Sequence, residues 1–227
     1  MAIKKLIRDW LSPHPTLFIP IYRALAPETH QKLLIAPDTQ IVIEGYARSA
    51  NTFSVVAFQE AQPEEVKIAH HLHVEGQILE GVRRGLPVIA LIRRPTDAIR
   101  SLKVAFPDDD ENRLLRRYVN FYRAVERVRD DVVIAEFSRV TSDFGSIIAE
   151  VNAKFGTDFA LFATSDDSVE GVFSSIDTIN KDRKGDKDLI ARPAAHKEKA
   201  KTSVTLDFDP KLLAEADRLF NSLTASS

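Results

Sequence analysis

Residues 88–92 read VIALI, five apolar residues in a row with no polar position on either face. Side chains alternate across a strand, so such a run must be covered on both sides. That is the condition of a strand inside a parallel sheet with helices above and below, not of an antiparallel sheet with one wet face. Residues 40–44 (QIVIE), 66–69 (VKIA) and 132–135 (VVIA) are further short apolar runs rich in β-branched residues. Helical patterns lie between them. One begins at Thr52, one spans 77–84 and is closed by Gly85, and a short one spans 97–104. The longest, 112–129, sets Leu115, Tyr118, Tyr122, Val125 and Val128 near one stripe. Residues 146–155 form another, ended by Gly156. Asp209-Pro210 opens the last, with Leu212, Leu213, Ala216, Leu219, Phe220 and Leu223 on its inner face. Strands alternating with helices predict a three-layer α/β fold around a parallel central sheet.

The chain has 227 residues, enough for one sizeable domain, and 1–227 reads as a single unit. Thirty-one basic against 33 acidic side chains disfavour a generally basic nucleic-acid binder, while leaving room for a local basic pocket. No cysteine is present, so disulfides, thiol nucleophiles and cysteine metal sites are excluded, and a cytoplasmic setting is expected. Residues 1–25 are too interrupted by charge and proline for a transmembrane helix. Ile3, Leu6, Ile7, Trp10 and Leu11 fall at helical spacing there. The first reading is a helix packed on the domain, the second a membrane-surface contact through Trp10, Lys4, Lys5 and Arg8. Residues 165–188 are polar and read as a mobile excursion.

Residues 41–53, IVIEGYARSANTF, carry the chemistry. A strand runs into a turn and a helix leaves it, and a helix N-terminus presents unpaired N–H groups suited to phosphate. The nucleotide-triphosphatase loop, G-x-x-x-x-G-K-[ST], is matched at Gly45 and Thr52. Its second glycine is Ala50 and its lysine is Asn51. Asparagine cannot neutralise β and γ phosphates, which disfavours a conventional ATPase or kinase. A cation stands three residues earlier instead, at Arg48.

In this form the segment resembles the 5′-phosphosulfate loop of sulfotransferases that use 3′-phosphoadenosine 5′-phosphosulfate (PAPS), written Gly-x-x-Arg/Lys-Ser-Gly-Thr-Thr. Arg48, Ser49 and Thr52 match, and Ala50 and Asn51 depart. The family's 3′-phosphate segment, Arg-Asx-Pro-Arg/Lys-Asp-x-x-x-Ser after a strand, is similar to Arg93-Arg94-Pro95-Thr96-Asp97-Ala98-Ile99-Arg100-Ser101. An arginine at a strand end and a serine on the first helical turns can close on one phosphate. Pro95 sets the bend, and Asp97 is the candidate cap. Looser similarity continues through 132–140, where Phe137 and Ser138 replace the usual Glu and Asp, to Phe155-Gly156.

The resemblance implies a P-loop-type fold and a member of bacterial size. It implies PAPS as co-substrate, with Arg48, Ser49, Ala50, Asn51, Thr52 and Phe53 around the 5′ end and Arg93 and Ser101 at the 3′-phosphate. It implies an acceptor bearing a hydroxyl or amine, of unspecified identity, and no metal. The family's Lys-Thr-His-Leu segment often carries the general base. Here Lys67 does not align, and His71-Leu72 fits the His-Leu pair, which makes His71 the candidate base, with His70 and His73 left open. If the strand continued, His71 and His73 would share one face and His70 the other. His-x-His offers only two metal ligands, without cysteine or an HExxH pattern. The family also closes a C-terminal basic segment over the 3′-phosphate. Arg183-Lys184-Gly185 is similar to part of it, and Arg192, Lys197 and Lys201 are candidates for the remaining cation. The rival readings are a nucleotide kinase-like phosphotransferase with a modified loop, and a non-catalytic nucleotide-binding protein of the same fold.

Overall fold

A computed structural model describes residues 11–182 and 201–225. The elements run α1 (Pro15–Leu25), α2 (Glu28–Gln31), β1 (Ile41–Gly45), α3 (Asn51–Ala61), β2 (Ile68–His70), α4 (Glu75–Arg83), β3 (Val88–Ile92), α5 (Pro95–Ala105) and α6 (Glu111–Glu126). After a 3-10 turn come β4 (Val133–Glu136), α7 (Phe137–Ser142), α8 (Phe144–Phe155), α9 (Asp166–Asp182) and α10 (Pro210–Thr224). The four strands form one sheet in the order β2-β1-β3-β4, and every pair is parallel. Strand parity divides the core. Ile41, Ile43, Ile89, Leu91, Val133 and Ala135 point to one face and pack with Phe53 and Phe58 of α3, Ile147 and Ile148 of α8, and Val172 and Ile176 of α9. Val42, Val88, Ala90, Ile92 and Ile134 point to the other. They meet Ile78 of α4, Tyr118 and Tyr122 of α6, and Leu219 and Phe220 of α10. This is the three-layer α/β fold that the continuous apolar runs demand.

Helix ends follow local chemistry. Asp110 caps α6 by accepting the Arg113 N–H at 2.6 Å. Asp209 caps α10 by accepting from Lys211 and Leu212, with Pro210 at the first helical position. Gly156 ends α8 at φ +67°.

Three local expectations are corrected. Residues 166–182 are not an excursion but helix α9. Val169, Val172, Phe173 and Ile176 fall at helical spacing, and they pack on the core of the α3 face. Strand β2 ends at His70, and His71 and His73 take positive φ, so strand alternation does not govern the histidines. Asp97 does not cap α5. The helix starts at Pro95, so Asp97 sits in its first turn, where it faces the positive helix end and lies 3.8 Å from Arg100.

Candidate functional site

All four strands run the same way, so their C-terminal ends form one edge. The chain passes from β1 outward to β2, then returns to place β3 on the opposite side of β1. The loops after β1 and β3 therefore diverge, and the crevice between them is where α/β sheets hold ligands. Arg48 leaves β1 and Arg93 leaves β3, each at that crevice.

The two arginine motifs touch. Arg48 Nε donates to Ser101 Oγ at 2.9 Å, and Arg93 Nη1 donates to the Arg48 carbonyl at 3.1 Å. Arg48 is partly buried, and among the described residues it has no carboxylate partner. Burial, and then the neighbouring Arg93, pull its guanidinium below the ordinary value. Arginine still stays charged in proteins, so two cations face one crevice. The Arg93 guanidinium stacks 4.0 Å from the centre of the Phe137 ring, and Tyr118 donates to the Arg93 carbonyl at 2.7 Å. Phe137, a departure from the resembled pattern, is thus the platform that aims Arg93.

The loop between them is tightly built. A side chain on Gly45 would meet the Leu91 carbonyl oxygen at 2.5 Å, so only glycine lets β1 and β3 close there. Tyr46 is buried and donates to the Leu114 carbonyl at 2.9 Å. Asn51 Nδ2 donates to the Tyr46 carbonyl at 3.1 Å, which latches the loop on itself. Among the described residues the buried Asn51 Oδ1 has no hydrogen-bond partner. As an acceptor it does not replace a lysine in holding an anion. Ser49 is fully buried, its Oγ 3.5 Å from the Tyr122 hydroxyl. Arg48 and Ala50 have φ of +71° and +67°, and Ala50 precedes α3 as its N-cap residue. Thr52 and Phe53 follow in the first turn of α3. Thr52 faces the histidines, while Phe53 is buried in the core and contributes only its backbone to the loop side.

The histidine turn lies beside this loop. His71 Nε2 is 3.0 Å from Thr52 Oγ1, and its Nδ1 forms a short hydrogen bond with His70 Nδ1. His70 and His71 are thus partners rather than residues on opposite faces. His73 Nδ1 lies 3.0 Å from the Gly45 carbonyl oxygen and 3.6 Å from Glu44 Oε1. Among the described residues no three His, Asp or Glu side chains converge as a metal site.

Glu44 went unnoticed in the sequence because it closes an apolar strand. It is wholly buried, and it accepts from Leu72 N–H at 2.9 Å, Gln77 Nε2 at 3.0 Å and Gly45 N–H at 3.2 Å. Burial outweighs these donors and pushes its carboxyl up to about 7. It ties the start of the phosphate-type loop to the backbone of the histidine turn. A lone acid ending an otherwise apolar strand is the signal that would have found it.

A cavity of about 540 Å³ opens next to the crevice, lined by Arg93, Asp97, Arg100, Lys201, Thr202 and Val204. Among the described residues that line it, three cations stand against one carboxylate, a balance that favours anions. Of the basic C-terminal candidates, Lys201 lines this cavity. Arg192, Lys197 and the Arg183-Lys184-Gly185 stretch lie outside the described residues.

Fold and site together define a three-layer α/β protein with a phosphate-type loop after its first strand and paired arginines across its switch point. No family model and no curated protein matches the chain. Among solved structures, that of mouse sulfotransferase SULT7A1 complexed with PAP is similar over 89% of this chain and 91% of that one. The identity is 15% and the TM-score 0.48.

Proposed function

We propose that the protein is a PAPS-dependent sulfotransferase, moving a sulfuryl group to a hydroxyl or amine on an acceptor. The observation that carries this reading is the contact between the two arginine motifs. Residues 45 and 53 positions apart in sequence meet at one crevice, with a partly buried Arg48 that no described carboxylate neutralises. The adjoining cavity is lined by Arg93, Arg100 and Lys201, the charge that a bisphosphate nucleotide asks for, and Arg93 links it to Arg48.

When bound, PAPS supplies the sulfuryl group on a phosphate that is a good leaving group. Arg48 and the backbone N–H groups at the start of α3 stabilise the charge left on that phosphate. Arg93 and Ser101 hold the 3′-phosphate, and Lys201 adds a further cation to the cavity beside it. His71 takes the acceptor's proton. In the tautomer whose Nδ1 proton is donated to His70, its Nε2 accepts from Thr52 and is the basic atom at the loop. Asn51 engaged with Tyr46 argues against a kinase-like use of the same loop.

The test is calorimetric titration with adenosine 3′,5′-bisphosphate without magnesium, against ATP with magnesium and the analogue lacking the 3′-phosphate. The expected result is binding that needs the 3′-phosphate and weakens about 100-fold in Arg93→Ala, the loss of a charge-assisted bidentate pair. Preference for ATP with magnesium would overturn the assignment.

A further inference from the structure

We infer that Glu44 is a positioning residue: through the backbone of the histidine turn it sets His71 against the phosphate-type loop. The inference rests on the proposed reaction, in which His71 takes the acceptor's proton. The turn is strained, with His71 and His73 at φ of +59° and +52°. Left-handed backbone crowds a Cβ, and an ordinary residue keeps it only where its surroundings over-determine it. Glycine, which takes such φ freely, stands at neither position. Residues 71–73 therefore need something to hold them.

Glu44 is built to do so. Its buried carboxyl accepts from Leu72 N–H at 2.9 Å, midway between the two strained residues. It also accepts from Gln77 Nε2 at 3.0 Å and from Gly45 N–H at 3.2 Å, and His73 Nδ1 lies 3.6 Å from its Oε1. Gln77 cannot turn its amide around. Its Oε1 accepts from Ile35 N–H at 2.8 Å, and its Nε2 also donates to the Leu33 carbonyl at 3.3 Å. The three groups bonded to Glu44 are therefore all donors, and an acceptor-only carboxylate answers each of them. A glutamine of the same shape would set its own NH2 against one of them and leave a buried donor unpaired.

The leverage falls on His71. Leu72 is fixed twice, by its N–H on Glu44 and by its side chain in the core. That fixes the direction of the residue before it, whose Nε2 comes within 3.0 Å of Thr52 Oγ1. The same carboxyl accepts the N–H of Gly45, where the phosphate-type loop begins. One buried group thus references the base and the loop to each other, and in-line transfer tolerates little misplacement between them.

The test is proton–nitrogen NMR of the histidine rings in the full chain at about pH 8, where the Glu44 carboxyl, raised by burial to about 7, is ionised. His71→Asn assigns the His71 signals, and Thr52→Val gives those of a His71 released from the loop. Glu44→Gln should move the His71 ring-nitrogen shifts to the Thr52→Val values. Adding His73→Gly, which takes positive φ without crowding, should bring them part of the way back, a rescue that a merely structural role for Glu44 would not give. Natural shifts in Glu44→Gln, or a change that His73→Gly does not reverse, would overturn the proposal. So would a Thr52→Val spectrum identical to the natural one, since no contact would then exist to be positioned. Where neither Glu44 variant folds, the natural protein decides. Its Leu72 amide should exchange with deuterium at least about 100-fold more slowly than an open turn amide, and fast exchange would overturn the proposal. None of these measurements involves nucleotide or acceptor, so failure here is separable from failure of the sulfotransferase reading.

Discussion

The loop after β1 and the corner after β3 flank one crevice and are built differently. In residues 45–52, Arg48 and Ala50 sit at positive φ. In residues 92–101 no residue does, and Pro95 starts α5 at its natural φ. Left-handed backbone costs an ordinary residue roughly 1–2 kcal/mol. The loop therefore carries a strain that Gly45, the Tyr46 hydroxyl and the Asn51 amide hold in place. What it gains is backbone: N–H groups gathered at the start of α3. The corner gains side chains instead, with Arg93 stacked on Phe137 and Ser101 set one and a half turns into α5. The lesson is a division of labour, with strain kept in the segment that gathers backbone donors and absent from the one that presents side chains.

The widest break in that comparison is Arg48→Ala. It should lower turnover about 100- to 1,000-fold, as loss of a leaving-group donor does, with a smaller effect on nucleotide affinity. Arg93→Ala should show the reverse weighting. A steady-state split into kcat and KM reads both, and equal effects would erase the distinction. Next is Gly45→Ala. Its Cβ would press on Leu91 backbone, so the loop and the β1–β3 pair cannot both keep their geometry. A destabilisation of about 3 kcal/mol is expected in urea unfolding, at the upper end of overpacking costs.

Glu44→Gln is comparable in size but depends on pH. The Glu44 carboxyl binds its proton more tightly folded than unfolded, with a value of about 7 against 4.5. Its contribution to stability is therefore full below 4.5 and is lost as pH rises through 7. The loss amounts to roughly 3 kcal/mol at most. Glu44→Gln should flatten that slope in urea midpoints taken across the window. An unchanged slope would show that Glu44 is not its source. The smallest effect is a gain. Ala50→Gly relieves the left-handed N-cap position and should stabilise by about 1 kcal/mol, read in the same unfolding experiment. A loss there would mean that Ala50 is not strained.

Much of the candidate site was legible because its signals are local. Arg48, Ser49 and Thr52 stand at fixed spacing after an apolar strand, and Arg93, Pro95 and Ser101 do so after another. Helix α9 was missed, because the polar residues around Val169, Val172 and Ile176 hid its stripe. Glu44 was not, since its partners Leu72 and Gln77 come from a turn and a helix 28 and 33 positions away. Nor was the pairing of His70 with His71, because positive φ at His71 breaks the alternation a strand would impose.

By itself, the sequence determined the layers and where each of the two arginine motifs begins. Apolar runs without a polar face must be covered twice, and a proline or a glycine acts on its own backbone wherever the chain goes. Which of those places belong together was decided only by the order β2-β1-β3-β4. Strand β3 pairs beside β1 because Ile89, Leu91, Ile41 and Ile43 bury one common face. That pairing carries Arg93 to the Arg48 carbonyl, a contact between residues 45 positions apart that no local pattern specifies.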